Sequence, residues 1–183
     1  GLLHHKVGGP GVKPYDLKLS FKPINPDRAP NVYRRSVYTF WKRTAPTPVM
    51  MTLDSSKRAV CMVRRERTDS PSQTLVLLNG PQFVEAARAT AHKLVETFGK
   101  EKDEELVANA FRLLTSRKPR KEELQVLIQL LAEQKAVFSD PAKAKEFLTT
   151  GEFKAKTDDP THLAAVTTLV STLMNFDEAI SKR

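Results

Sequence analysis

Residues 158 to 176 read DDPTHLAAVTTLVSTLMNF. Asp159 followed by Pro160 has the form of a helix cap with proline at the first helical position, where the missing N–H costs nothing and the ring presets φ. Beyond it Leu163, Val166, Leu169, Val170, Leu173 and Phe176 recur at three- and four-residue spacing, the period of a helix. The same grammar repeats upstream. Asp140-Pro141 is a second cap and proline, and Pro119 is expected to open a helix carrying Leu124, Leu127, Ile128, Leu131 and Phe138. Asp103 is expected to cap another, with Glu104 and Glu105 in a first turn where the helix dipole favours negative charge, and with Val107, Ala110, Phe111 and Leu114 as its stripe. Asn79-Gly80-Pro81 separates a short helix starting after Ser70-Pro71 from a longer one with Phe83, Ala87, Ala91, Leu94, Val95 and Phe98 on one face, stopped by Gly99. Residues 71 to 183 thus read as a bundle whose short connectors suit antiparallel neighbours.

Toward the N-terminus the signals change. Residues 1 to 30 carry GGPG at 8 to 11 and prolines at 14, 23, 26 and 30, which remove donors and push their predecessors out of the helical region. An extended arm is expected there. Asn31 can cap a helix from Val32 to Thr44 that places Tyr33, Val37, Phe40 and Trp41 on one face, ended by TAPTP at 44 to 48. Val49-Met50-Met51 reads as extended, and Asp54 as the cap of a short turn over Ser55 to Val60. The expected whole is mainly α, an irregular multi-helix bundle with an extended Pro/Gly-rich N-terminal arm. Its expected parts are an arm at 1–30 and a single helical domain at 31–183, divided into a basic aromatic part at 31–70 and the bundle at 71–183. The chain starts GLLHHKVGGPG, without methionine, and is read as part of a longer protein.

Composition narrows the chemistry. Hydrophobic residues make up 40% of 183, enough for a core. The net charge of +9 is uneven: residues 1–70 hold 14 Lys and Arg against 5 Asp and Glu, whereas residues 71–183 hold 16 of each. Such an excess speaks of attraction to polyanions and not of fold. A single cysteine, Cys61, excludes an internal disulfide framework, and it is read as a small buried hydrophobe in preference to a nucleophile activated by Arg58 and Arg64. The longest unbroken apolar run, 59 to 63, is far short of the roughly 20 residues of a membrane span. Glycine-rich phosphate loops and His-Glu-x-x-His are absent, as is Cys-x-x-Cys-His for covalent haem, and His4, His5, His92 and His162 are scattered. No catalytic residue, metal ligand or cofactor is therefore nominated in this chain.

The basic residues carry the functional question. Arg34, Arg35, Lys42 and Arg43 are interleaved with Tyr38 and Trp41, and Arg58, Arg64, Arg65 and Arg67 follow in and before CMVRRERTDSPSQ at 61 to 73. Guanidinium groups pair bidentately with phosphate, sulfate or carboxylate, and rings stack on bases or sugars, so these ten residues form a candidate anion-binding set. The plainer reading makes the rings core and has the arginines brace the fold, paired with Asp54, Glu66, Asp69 and backbone carbonyls. A catalytic anion clamp is the third reading.

Several blocks resemble one family. GGPGVKPY (8–15), YRRSVYTFWKRTAPTPVMMTLD (33–54), CMVRRERTDSPSQTLVLLNGPQFVEAAR (61–88), AFRLLTSRKPRKEEL (110–124) and NFDEAI (175–180) are similar to a planctomycete domain of unknown function. It forms the C-terminal part of large proteins that often carry cytochrome-c-like modules. Ser72 and Gly80 stand where that family usually has leucine and aspartate. The resemblance implies an exported, extracytoplasmic protein, with any haem held in modules outside this chain and with no catalytic residues to transfer. The expected role is a binding or scaffold module whose partners are other domains of the same polypeptide, or an acidic or sulfated polysaccharide. An active site of a carbohydrate-active or redox enzyme completed by a further N-terminal region is the alternative, and nucleic acid is the least expected ligand.

Overall fold

The computed structural model describes residues 3–14, 25–43, 46–56, 58, 60–64, 68 and 70–180. Among them the regular elements are helical: α1 (Pro48–Thr52), α2 (Pro71–Asn79), α3 (Pro81–Phe98), α4 (Asp103–Thr115), α5 (Lys121–Val137), α6 (Pro141–Phe147), α7 (Pro160–Met174) and α8 (Asp177–Ile180), with two 3-10 turns at Asn31–Tyr33 and Ser36–Tyr38. The mainly α expectation holds. The chain divides into two compact units, 2–76 and 77–183.

In the C-terminal unit α7 is more than amphipathic. Residues 162–167, 169–171 and 173 are all buried, so the helix has apolar neighbours on every side instead of the single face its spacing suggested. Helices α3, α4, α5 and α6 pack on it. Ala87, Ala91 and Leu94 of α3, Leu106, Val107, Ala110 and Phe111 of α4, and Leu127 and Leu131 of α5 close the core against it. The buried Thr167 hydroxyl needs no outside partner, because its Oγ1 donates to the Leu163 carbonyl at 2.7 Å, one turn back.

Both aspartate-proline caps form. The Asp140 carboxylate accepts from the Ala142 N–H at 2.8 Å, and Asp159 Oδ1 accepts from the N–H groups of Thr161 and His162, each at 3.1 Å. The Thr161 hydroxyl at 2.6 Å, with the His162 N–H and the Lys100 ammonium at 3.0 Å, holds the Asp159 carboxyl well below the usual range. Two expected starts shift. Asp103 lies inside α4 and its carboxylate pairs with Lys135 at 2.5 Å, while α5 begins two residues after Pro119, where the Glu123 carboxylate accepts the Arg120 N–H at 2.7 Å. The Arg117 guanidinium, lying 4.7 Å from the Phe111 ring centre, joins Glu123 at the start of α5 to Glu178 on α8. Arg117 first, then the Arg120 N–H, lowers the Glu123 carboxyl to about 2.

Two buried charged residues of α3 that periodicity alone does not single out tie down the segment between α6 and α7. Arg88, 1% exposed, donates to the carbonyls of Leu148 and Phe153, and Glu85 accepts from the N–H groups of Glu152 and Phe153. One turn further on, His92 Nε2 meets the Lys156 carbonyl at 2.9 Å. All these partners are backbone groups of a non-helical stretch that would otherwise be unpaired.

The N-terminal unit departs most from expectation. No helix runs from Val32 to Thr44: Arg34 and Thr39 are extended, and they form isolated parallel bridges with His4 and Val12 of the arm. The N–H groups of His4 and Val12 donate to the carbonyls of Tyr33 and Tyr38, and the Phe40 N–H donates back to Val12. A run rich in valine, tyrosine, threonine, phenylalanine and tryptophan favours such extended pairing, and the arm supplies its partner. Residues 49–51, expected extended, lie in α1 because Pro48 presets its first turn. Asp54 adopts φ 56° just past α1, and its carboxylate accepts from Thr68; of the turn expected over 55–60, residues 57 and 59 lie outside the described residues.

Two tests follow from the C-terminal unit. Gly151 adopts φ +83°, and a Cβ there would stand 2.5 Å from Glu85 Oε2. Gly151→Ala is expected to cost about 2 kcal/mol in urea unfolding, combining left-handed strain with displacement of the Glu85 carboxylate. An unchanged midpoint would show that this tie is dispensable. His162 is 5% exposed, and burial, with Lys135 and Lys100 opposed by Asp103 and Asp159, lowers its pKa below 6.5. The folded chain therefore keeps it neutral while the unfolded chain takes up a proton, so its contribution is complete above pH 6.5 and is lost as pH falls toward the folded value. Urea titrations from pH 6.5 to about 5.5, above the range where the lowered carboxylates contribute, should show falling stability that is flattened in His162→Gln; equal slopes would assign the acid sensitivity elsewhere.

Candidate functional site

The candidate basic residues divide into those that brace and those that face solvent. Arg34 braces. It is half-buried, and its guanidinium donates to the carbonyls of Lys6 at 3.1 Å, Gly8 at 2.6 Å and Pro10 at 3.2 Å while stacking 3.8 Å from the Tyr38 ring centre. The Tyr38 hydroxyl in turn accepts from the Gly8 N–H at 3.3 Å. A glycine-proline turn exposes several carbonyls at one place, and a fork with five donors can serve them together.

Arg58 is held differently. Its backbone sits at φ 55°, uncommon for a residue with a side chain, and its guanidinium lies 5.0 Å from the ring centre of Trp41. The residue is exposed. Lys13, which sequence reasoning passed over, brings its ammonium 5.9 Å from the Phe40 ring centre. Each ring from Tyr38 to Trp41 therefore carries a cation of its own chain, an arrangement worth about 0.5–1 kcal/mol at exposed sites.

Of the remaining candidates, Arg35, Arg43 and Arg64 are exposed and Lys42 is half-buried; Arg65 and Arg67 lie outside the described residues. Cys61 is exposed as well, which corrects its reading as a buried hydrophobe. The segment around it places Val60, Met62 and Val63 in solvent instead of in a core.

The second half of CMVRRERTDSPSQ is a structural knot. Gln73, only 8% exposed, directs Nε2 to the Thr52 carbonyl at 3.0 Å, Asp54 Oδ2 at 3.0 Å and Thr68 Oγ1 at 2.8 Å. The Thr68 N–H and hydroxyl both donate to Asp54, at 2.8 and 2.9 Å. The Ser70 N–H donates to Gln73 Oε1 at 3.2 Å, and the Gln73 N–H donates back to Ser70 Oγ at 3.4 Å, a reciprocal cap that starts α2. Ser70 was legible as a cap. The reach of Gln73 to the end of α1 was not, because the two are brought together only by folding.

The family can now be stated. A family model described as PSD1, protein of unknown function (DUF1553), matches residues 1–131. The chain belongs to this family. The matched span includes every candidate basic residue, the Gln73 knot and the buried Glu85 and Arg88 of α3, whereas α7 lies beyond it. No curated protein and no solved structure matches the chain. Among the described residues, no group of His, Cys, Asp and Glu is arranged to hold a metal ion, and no helix is long and apolar enough to cross a membrane.

The bracing role of Arg34 is open to direct test. Arg34→Leu should speed hydrogen exchange at the His4 and Val12 amides by an amount equivalent to about 1–2 kcal/mol of lost local protection, the range for charge-assisted hydrogen bonds discounted for exposure. Arg34→Lys, which keeps the charge and loses the fork, should recover little of it. Unchanged exchange would show that the two backbone bridges hold the arm without the guanidinium.

Proposed function

We propose that this chain is a non-catalytic binding and scaffold module whose N-terminal unit offers a cationic surface to a polyanion or to an acidic partner domain. One observation carries the reading: Arg35, Arg43, Arg58 and Arg64 are exposed in a part of the chain where 14 basic residues face 5 acidic ones. A field of one sign draws counter-charged polymers and raises their association rate. The described side chains supply guanidinium forks in that part.

The resemblance to the planctomycete domain supplies the proposed setting. In it the chain forms part of an exported, extracytoplasmic protein, haem belongs to cytochrome-c-like modules elsewhere in the polypeptide, and the partners are those modules or an acidic or sulfated polysaccharide. Outside the cytoplasm, nucleic acid is the least suited of the available polyanions.

Binding of dextran sulfate measured over a salt series tests the surface. The logarithm of the affinity should fall linearly with the logarithm of salt concentration, and Arg35→Gln/Arg43→Gln/Arg64→Gln should make that slope shallower by about two to three counterions. A chain that binds neither dextran sulfate nor polyglutamate at low salt has no such surface.

A further inference from the structure

We propose that Arg58, lying over Trp41, is an oxyanion-binding arm that takes the sulfate ester groups of a polysaccharide through its guanidinium N–H groups. The inference rests on the cationic-surface reading above and assigns a residue and a ligand group to it.

Three features of Arg58 meet at one place. Its guanidinium lies over the Trp41 ring at 5.0 Å from the centre, the residue is exposed, and no acidic side chain pairs with it among the described residues. Among the described residues no acceptor takes its guanidinium N–H groups, which remain available in the fork geometry that grips two oxygens of one anion. The ring thus restricts the side chain before a ligand arrives, which reduces the ordering cost of binding. Its backbone at φ 55° is the second sign: an L residue held in the left-handed region costs about 1–2 kcal/mol unless it is aspartate, asparagine or glycine. Such strain recurs where a side chain must be aimed. Arg34 is the internal contrast, since it also stacks on a ring but spends its donors on the carbonyls of Lys6, Gly8 and Pro10.

The choice of ligand follows from what the neighbouring rings are doing. Tyr38, Phe40 and Trp41 are each covered by a cation of the same chain, at 3.8, 5.9 and 5.0 Å respectively. The covered faces are not platforms for the bases of a single strand, whose binding depends on base–ring stacking. Duplex recognition commonly lays a basic helix in a groove, yet among the described residues the α-helices that begin in this unit, α1 and α2, contain no lysine or arginine. What remains are cationic edges on irregular backbone, which suit isolated oxyanion groups spaced along a flexible chain.

Trp41 is the only tryptophan in the chain, so its fluorescence reports on Arg58 without labelling. Titrating the full chain with dextran sulfate should give a saturable change in Trp41 emission, and unsulfated dextran should give none. Arg58→Gln should abolish the emission change and weaken dextran sulfate binding about tenfold, as expected for loss of one charge-assisted bidentate contact. Arg58→Lys, which retains the charge and the contact with the ring, should recover only part of that affinity. Near-ultraviolet circular dichroism and thermal melting of the variants control for folding. Should dextran sulfate bind the parent and Arg58→Gln equally, with Trp41 emission unmoved, the Arg58 assignment is overturned while the cationic-surface reading stands. Tighter emission-linked binding of an oligonucleotide or of polyglutamate would overturn the choice of sulfate esters. Absence of binding to any of these polymers would overturn both.

Discussion

A helix whose side chains at 162–167, 169–171 and 173 are all buried has to be enclosed, and enclosing α7 is the constraint on which the C-terminal unit depends. No single neighbour can cover a full circumference. Helices α3, α4, α5 and α6 each take a sector, and their own stripes of alanine, leucine, valine and phenylalanine are the surfaces they spend on it. The small residues Ala87 and Ala91 allow α3 a close approach, while Phe111 and Leu106 fill wider gaps. The polar ends of α7 are settled locally, by Asp159 at the start and by hydroxyl-to-carbonyl bonds along its length.

Enclosure has a further cost, since the chain between α6 and α7 must pass over α3 without helix or sheet to satisfy its backbone. Arg88 and Glu85 meet that need with opposite charges, one donating to carbonyls and the other accepting from N–H groups. The cost of burying these two side chains is offset by the backbone hydrogen bonds that each makes. Gly151, with φ +83°, allows the turn that brings the segment against Glu85.

In the N-terminal unit cations do much of the work that a core does elsewhere. Val12 is buried, and Tyr38, Phe40 and Trp41 each have a cation over the ring, Arg34, Lys13 and Arg58 respectively. The same residues that give this part its basic excess thereby hold its irregular backbone. Bracing is thus settled arginine by arginine and not for the set: Arg34 donates to three carbonyls of the arm, whereas Arg58 lies over a ring and is exposed. The proposed sulfate-binding role falls to the second kind.

Local signals were enough wherever a feature needs only neighbours in sequence. The Asp140-Pro141 and Asp159-Pro160 caps, the break at Gly80-Pro81, the stop at Gly99 and the stripes of α3, α4, α5 and α7 follow from hydrogen bonds and spacings within a few residues. Signals of that kind gave the mainly α class, and likewise the concentration of charge before residue 71. Tertiary structure decided what depends on partners distant in sequence. The segment at 31–41 carries an apolar spacing compatible with a helix, yet its backbone pairs with Val12 and His4, because extended β-branched and aromatic residues gain more from a partner strand than from a helical turn of their own. Gln73 joins Thr52, Asp54 and Thr68, and Glu85 and Arg88 clamp a segment some 60 residues away; neither is visible to a period or a motif. Which arginine braces and which faces outward belongs to the same class. A guanidinium is chemically identical in both roles, and only the carbonyls or rings that folding brings to it tell them apart.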